Sequence, residues 1–244
     1  MPPFTIIDRE VATSTDGAQS VAVRTPRRAR LGMALYAFAC WPSTHELELP
    51  QGWLTIATFS EEGAIGSAAL LARPVMSQEV ISTIFAFTTE AEDWDDLPPP
   101  VVAILAVRGG NVTLAASDDG IATSEDGFTL QVPNVVAGSF SDAVLVASYV
   151  AGEVEIDLPE TLTEILSLVA TDSDDDEVEH TGTFNLSVRL PEAAGPIGVH
   201  VIGVGGPNTA GICAAVAAPA EVPISIPRIE VDAQGAIGLT TVGV

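Results

Sequence analysis

The chain has 244 residues, of which 47% are hydrophobic, and it carries 33 acidic residues against nine arginines and no lysine, for a formal charge of −24. This length suffices for one large all-β domain or two small ones with a real core. Such an acidic surface should repel nucleic acid and anionic membranes, because phosphate binding depends on lysine and arginine. The missing lysine favours adaptation to high salt, where charges are screened within about 3 Å at 1 M. An acidic protein of a GC-rich bacterium or its virus is the alternative.

Short aliphatic runs separated by turn residues follow one another along the chain, which is typical of β-strands. Residues 1–30 give a lead-in strand and an Arg-rich turn. Residues 31–110 form the first half of a sandwich and end at Gly109-Gly110, and residues 111–141 form a link. Residues 142–206 repeat the order as a second half ending at Gly205-Gly206, which matches "VVAILAVRGG" with "GVHVIGVGG". Residues 207–244 form C-terminal strands or a tail.

One short pattern occurs in both halves: "ELELPQGW", residues 46–53, returns as "EIDLPETL", residues 155–162. Acidic and aliphatic residues alternate, which indicates a strand with one wet and one buried face. Pro50 and Pro159 should end these strands, since proline cannot donate to a ladder. The stretch "LPETLTEILSLV" also fits a helical face, but the duplicate favours a strand. The sequence therefore predicts an all-β, pseudo-duplicated antiparallel sandwich, jelly-roll-like, with ten or more strands.

The stretch from Ala29 to Val75, with its turn Pro50-Gln51-Gly52-Trp53 and a strand ending at Arg73, resembles a β-sandwich module of structural proteins in tailed viruses. The pattern covers roughly residues 20–206 of this chain. The resemblance implies a minor capsid or tail protein of a phage or haloarchaeal virus. Such a protein is not an enzyme. It either decorates the capsid or forms part of a turret or tail, and it acts by symmetric assembly. This chain departs from the module at Thr161-Leu162, where Gly-Trp would stand, and in its stronger acidity.

A virion sandwich of this kind is expected to be a homo-oligomer, either a trimer or a pentamer, that also contacts other virion proteins. Its location would be the virion, assembled in the host cytoplasm. The second functional interpretation is a carbohydrate- or receptor-binding module, an adhesin, that binds a cell-surface glycan through exposed Trp41, Trp53 or Trp94.

The turn Pro50-Gln51-Gly52-Trp53 has a physical rationale apart from any resemblance. Gly52 supplies a backbone angle that other residues adopt with difficulty. Trp53 then starts the next strand and is predicted to close one end of the core, with its indole nitrogen reaching a loop carbonyl. A sugar contact is the alternative role for Trp53.

The acidic loop "DSDDDEVEH" is the best candidate cation site. Asp172, Asp174 and Asp176 match the start of an EF-hand loop, but Glu177 replaces its glycine and Thr183 its closing glutamate. The loop is therefore either a solvated hairpin or a weak Ca²⁺ or Na⁺ site, and no other cofactor is expected.

Arg24, Arg27, Arg28 and Arg30 form the only dense basic cluster. They form either a solvated turn or a docking patch for an acidic surface of another copy or a neighbouring coat subunit, because arginine suits desolvated ion pairs. We expect assembly contacts through these arginines and the Ala/Val-rich tail "GICAAVAAPAEVPISI", with the acidic loops in solvent.

Catalytic, nucleotide-binding and membrane patterns are weak throughout. His45, His180 and His200 stand at neither triad nor metal-ligand spacing, and "GVGGPNTAG" has Asn208 where a dinucleotide loop needs glycine. Cys40 and Cys213 lie in apolar runs, which favours buried free thiols over one long disulfide loop. Carboxylates are too abundant for spacing to single out a glycosidase pair, and Asn111 and Asn185 begin glycosylation sequons. Neither a secretory signal nor membrane insertion is predicted.

Overall fold

β-Strands make up the protein. The computed structural model describes residues 4–14, 20–41, 47–60, 67–77, 83–89, 99–109, 116–117, 129–132, 135–137, 143–173, 179–189, 195–197, 200–204, 211–218, 225–231 and 237–243. In these residues there are strands and turns but no helix, so the predicted fold class is confirmed. The contested stretch after Pro159 is a strand from Thr163 onwards.

The strands fall into two successive sets and a final pair. The first set is β1 (Thr5–Thr13), β2 (Ser20–Arg24), β3 (Ala34–Trp41), β4 (Leu47–Glu48), β5 (Leu54–Ser60), β6 (Ser67–Pro74), β7 (Ile84–Thr89) and β8 (Val101–Arg108). The second set is β9 (Ala116–Ser117), β10 (Thr129–Val132), β11 (Val135–Ala137), β12 (Ala143–Ala151), β13 (Ile156–Asp157), β14 (Thr163–Ser173), β15 (Glu179–Arg189), β16 (Gly195–Ile197), β17 (His200–Val204) and β18 (Gly211–Ala218). The chain continues with β19 (Ser225–Val231) and β20 (Ile237–Gly243), which pair only with each other among the described strands.

Both sets have the same strand order. The first set forms a five-stranded sheet, β1-β8-β3-β6-β5, and a three-stranded sheet, β2-β7-β4. The second set forms β9-β18-β12-β15-β14 and β10-β17-β13, with β11 and β16 as an added pair. Pairing of distant strands such as β1 with β8, in two antiparallel sheets, is the jelly-roll arrangement. The chain therefore folds as two jelly rolls, the first ending with β8 and the second with β18.

The duplication extends to local backbone detail. In the first unit the Trp53 amide donates to the Pro50 carbonyl (3.3 Å), and in the second the Leu162 amide donates to the Pro159 carbonyl (2.9 Å). The strand after each turn then carries a bulge at the same place, at Ile56 in β5 and at residue 165 in β14. Leu162 thus occupies the position of Trp53, which agrees with the match of the two Leu-Pro stretches. β4 and β13 have two residues each and do not reach Pro50 and Pro159, as the prolines predict.

Strand β17 differs from the equivalence that its sequence suggests. It pairs with β10 and β13, as β7 pairs with β2 and β4, so "GVHVIGVGG" corresponds to β7 and not to β8. The counterpart of β8 is β18, which pairs with β12 as β8 pairs with β3. Short apolar strands before glycine-rich turns look alike in sequence, and only their hydrogen-bond partners distinguish them. β9, β10 and β11 lie in the stretch 111–141 that the sequence presents as a link.

The two five-stranded sheets pack face to face. Alternate residues of β3, β6 and β8 meet alternate residues of β12, β14 and β15 in one buried cluster, since successive side chains point to opposite faces of a sheet. The other face of the first sheet packs against β2 and β7 in a second cluster. The largest fully buried side chains of the two clusters are Tyr36, Tyr149, Phe38, Phe85, Phe87 and Phe184.

Candidate functional site

The turn between β4 and β5 closes one end of the first jelly roll. Gly52 has a φ of 87°, a left-handed conformation that glycine adopts without strain. Trp53 is 6% exposed and packs edge-on against Phe85 and Phe87, at centroid distances of 5.2 and 5.6 Å. These contacts support its role as a plug of the core. Its indole nitrogen is buried and makes no hydrogen bond to any of the described residues, so the expected bond to a loop carbonyl is not formed within that part of the chain.

Arg73 at the end of β6 covers this turn. Its guanidinium donates to the carbonyl oxygen of Gln51 and lies 5.0 Å from the ring centroid of Phe85. A Cβ at residue 52 would lie 3.0 Å from the Arg73 Cζ, so the absence of a side chain at Gly52 admits the guanidinium. A cation over an aromatic face is attracted by the ring quadrupole. The guanidinium thus fixes the turn to β7 from outside the core.

The Arg-rich loop, residues 24–33 between β2 and β3, lies at the same end of the first unit. Backbone bonds fix it to its neighbours: Thr25 N–H donates to Thr83 O (3.1 Å), and Gly32 N–H donates to Val75 O (3.0 Å). The Arg28 N–H donates to an Asp8 carboxylate oxygen on β1 (2.8 Å). Because these bonds come from three different segments, the loop has a defined shape.

The arginines of this loop are exposed. The Arg27 side chain is 87% exposed, and its Nε lies 4.0 Å from Glu10 Oε1, a surface pair worth at most about 1 kcal/mol. Arg30 folds back and donates to the carbonyl oxygens of Arg27 and Ala29 (3.0 and 2.7 Å). Arg24 and Arg28 are exposed as well. The structure thus brings the four predicted residues to one surface, and whether that surface is an assembly interface stays a prediction.

Exposed apolar side chains, which no sequence pattern indicates, lie at the same end. Leu31, Met76 and Ile84, here called the apolar trio, are 59%, 79% and 56% exposed. Leu31 and Met76 flank the bonded residues Gly32 and Val75, and Ile84 lies directly opposite Arg24 in the β2–β7 ladder. Exposed apolar residues in turns or at strand ends look like core residues in a sequence, so only the fold reveals them.

Two of the three tryptophans suggested for glycan binding are buried in the core. Trp41 at the end of β3 is 2% exposed and Trp53 is 6% exposed, so neither presents its ring to solvent. The suggestion that they are exposed is therefore wrong; both belong to the core inside the first unit. Trp94 lies outside the described residues.

The candidate cation loop is only partly described. Asp172 lies in β14, where its backbone pairs with that of His180 in β15, while Asp174 and Asp176 lie outside the described residues. His200 starts β17, and His45 also lies outside. In the part of the chain that the structure describes, no three His, Cys, Asp or Glu side chains are close enough to hold a metal ion.

Buried nucleophilic and phenolic groups lie in the core between the units. Cys40 is a free, buried thiol, as predicted, and burial raises its pKa to about 12. Burial also raises the pKa of Tyr36 and Tyr149 well above the usual value for tyrosine, and the neighbouring Cys40 adds to the effect on Tyr149. These groups stay protonated at neutral pH. A protonated buried thiol is a poor nucleophile.

The inner face of the second unit holds buried polar groups. Asn185 donates to a Glu164 carboxylate oxygen (3.2 Å), and Ser187 donates to Val146 O (3.5 Å). Asn185 is 1% exposed, so this sequon is closed to modification in the folded chain. Asn111 lies outside the described residues.

The Arg-rich end is the surface with the clearest capacity for binding. It combines fixed backbone, exposed guanidinium groups and exposed apolar side chains in an otherwise acidic protein. Comparison with family models, with curated proteins and with solved structures gave no match. Within the described residues no helix is long and apolar enough to cross a bilayer.

Proposed function

We propose that the chain is a non-enzymatic structural subunit of a tailed-virus particle, on the capsid surface, in a turret or on the tail. The observation that carries the proposal is the pair of jelly rolls with matching strand order, stacked through their large sheets. Jelly rolls occur in viral capsid proteins, in lectins and in cupins. A fold alone does not determine function, so the surface must support the choice.

Two features of the surface and core favour an assembly role. The two units share one buried core, and with the sheet of β2 and β7 packed on the first unit they form a three-layered block suited to a fixed place in a particle. The exposed arginines and the apolar trio are concentrated at one end of that block. Arginine is enriched and lysine depleted at protein interfaces, so the basic residues present are of the type that interfaces use.

The adhesin interpretation has less support. This interpretation places the sugar on an exposed tryptophan ring, and Trp41 and Trp53 are both buried. Trp94 would then have to provide the ring by itself.

Particles purified from a virus that encodes this chain provide the test. We expect mass spectrometry to find the chain at fixed stoichiometry in banded particles, and gold-labelled antibody to mark a regular position on them. As a control, particles washed with 1 M salt should retain the chain. Absence of the chain from such particles would contradict the proposal, and specific binding on a glycan array would favour the adhesin.

A further inference from the structure

The molecule carries a basic loop on its first jelly roll and a run of acidic residues on its second. The Arg-rich loop between β2 and β3 has four arginines, whereas its counterpart between β10 and β12, residues 133–142, has none. The acidic segment, residues 153–164 around β13, contains no basic residue. Its exposed carboxylates belong to Glu153, Glu155, Asp157, Glu160 and Glu164. One molecule therefore presents a basic end on its first unit and an acidic surface on its second.

The arginines are incompletely neutralised within their own chain. Among the described residues, the acidic side chains that contact the loop are Asp8 and Glu10 of β1, and the Asp8 carboxylate accepts a hydrogen bond from the Arg28 backbone N–H. The 87% exposure of Arg27 leaves its guanidinium open to another carboxylate. The apolar trio lies at the same end as these groups, and exposed apolar surface gains free energy when a partner removes it from water.

We propose that the Arg-rich loop and the apolar trio of one molecule dock on the acidic segment of a second copy, so that subunits join head to tail. Charge complementarity selects this occupant, because each copy carries both surfaces. Head-to-tail contacts close into rings when the rotation between subunits allows it. This inference deepens the proposed function and rests on it for its biological setting, but the contact itself can be measured on the purified chain.

Charge reversal on either side is the first measurement. We expect Arg27→Glu with Arg28→Glu to weaken self-association about tenfold or more at moderate salt, since like charges across an interface repel. Glu155→Arg with Asp157→Arg should weaken it similarly. The effect should shrink at 1 M salt, where the Debye length is about 3 Å. Arg9→Glu is a control for added negative charge, because alternation places Arg9 on the opposite face of β1 from Glu10, and it should change self-association by less than about twofold.

Mixing the two reversed proteins is the decisive measurement. The acidic loop of the first variant then faces the basic segment of the second. The native loop of the second variant faces the native segment of the first. We expect an equimolar mixture to recover native association in sedimentation or light scattering, although each protein alone associates at least about tenfold more weakly. Circular dichroism confirms that each variant is folded. Recovery fails if the loop contacts some other surface, and unchanged association of the loop variant overturns the proposal at once.

The trio supplies a second, independent readout. Leu31→Ser with Met76→Ser should weaken association at 1 M salt, where the charge effect is reduced. Leu54→Ser is the control. Leu54 is 51% exposed, but it pairs with Ala72, which belongs to the core between the two units. It therefore lies on the opposite face of the sheet from β2 and β7. Loss of particle incorporation without any self-association would show that the loop binds another virion protein. Self-association with charge-swap recovery, in a chain absent from particles, would support this contact and contradict the proposed function.

Discussion

The Tyr149 hydroxyl donates a 2.6 Å hydrogen bond to the carbonyl oxygen of Pro99. Tyr149 belongs to β12 of the second jelly roll, and Pro99 leads into β8 of the first, so this bond crosses the core between the units. Tyr36, on β3, is also fully buried in that core, but its hydroxyl has no partner within the described residues. The two tyrosines therefore differ in one bond within a similar environment.

Removal of the two tyrosine hydroxyls, one at a time, should change the stability of the protein differently. We expect Tyr149→Phe to lower the free energy of unfolding by about 1–2 kcal/mol, because the buried Pro99 carbonyl loses its donor. Tyr36→Phe should leave it unchanged or raise it by up to about 1 kcal/mol, since an unpaired buried hydroxyl is removed. Urea unfolding followed by circular dichroism measures both without changing ionic strength. Equal losses in the two variants would contradict the bond.

Gly182 on β15 faces the Tyr149 ring. A Cβ at residue 182 would lie 2.5 Å from the Tyr149 hydroxyl oxygen and 2.7 Å from its Cζ. We expect Gly182→Ala to destabilise the protein by about 2–3 kcal/mol, because a buried ring bonded to Pro99 has little room to move. Combined with Tyr149→Leu, it should cost less than the sum of the two single changes, since the ring is then gone. Additive losses in urea unfolding would show that the ring is not the obstacle.

Gly32 and Gly52 form a matched pair with φ angles of 81° and 87°. Alanine at either position should cost about 1 kcal/mol of backbone strain. Gly52→Ala should cost a further ~0.5–1 kcal/mol, because the new Cβ displaces Arg73 from Phe85 and Gln51, whereas nothing lies within 4 Å of a Cβ at Gly32. Thermal unfolding of both variants tests the difference, and it should vanish in an Arg73→Ala background.

Cys40 gives the protein a dependence on alkaline pH. Its pKa rises from 9.0 to about 12 on burial, so the folded state holds the proton that the unfolded state releases. The free energy of unfolding therefore falls as the pH rises above 9, by about 1 kcal/mol between pH 8 and pH 10. Urea unfolding at the two pH values measures this loss. Cys40→Ala should show a smaller decrease, and an equal decrease would assign the effect to other groups.

Much of the fold could be predicted from local patterns. Alternation and the prolines located β4 and β13, and the similarity of the two Leu-Pro stretches predicted a duplication that the bulges in β5 and β14 repeat. The role of β17 could not be predicted, because strand order depends on partners distant in sequence. The apolar trio and the stacking of Arg73 on Phe85 were missed for the same reason: they combine β6, β7 and two separate turns.

The pairing of β1 with β8 has a consequence for how the chain is made. Thr5 pairs with Arg108, so the first large sheet cannot close until the ribosome has released residue 108. Folds that depend on such distant pairings form slowly. Even then, the face that carries Tyr36, Phe38, Leu70 and Leu105 stays uncovered until β12 and β15 are synthesised, and it is a surface on which nascent chains can aggregate. Synthesis of the second jelly roll is therefore the step that covers this face and prevents the first jelly roll from aggregating.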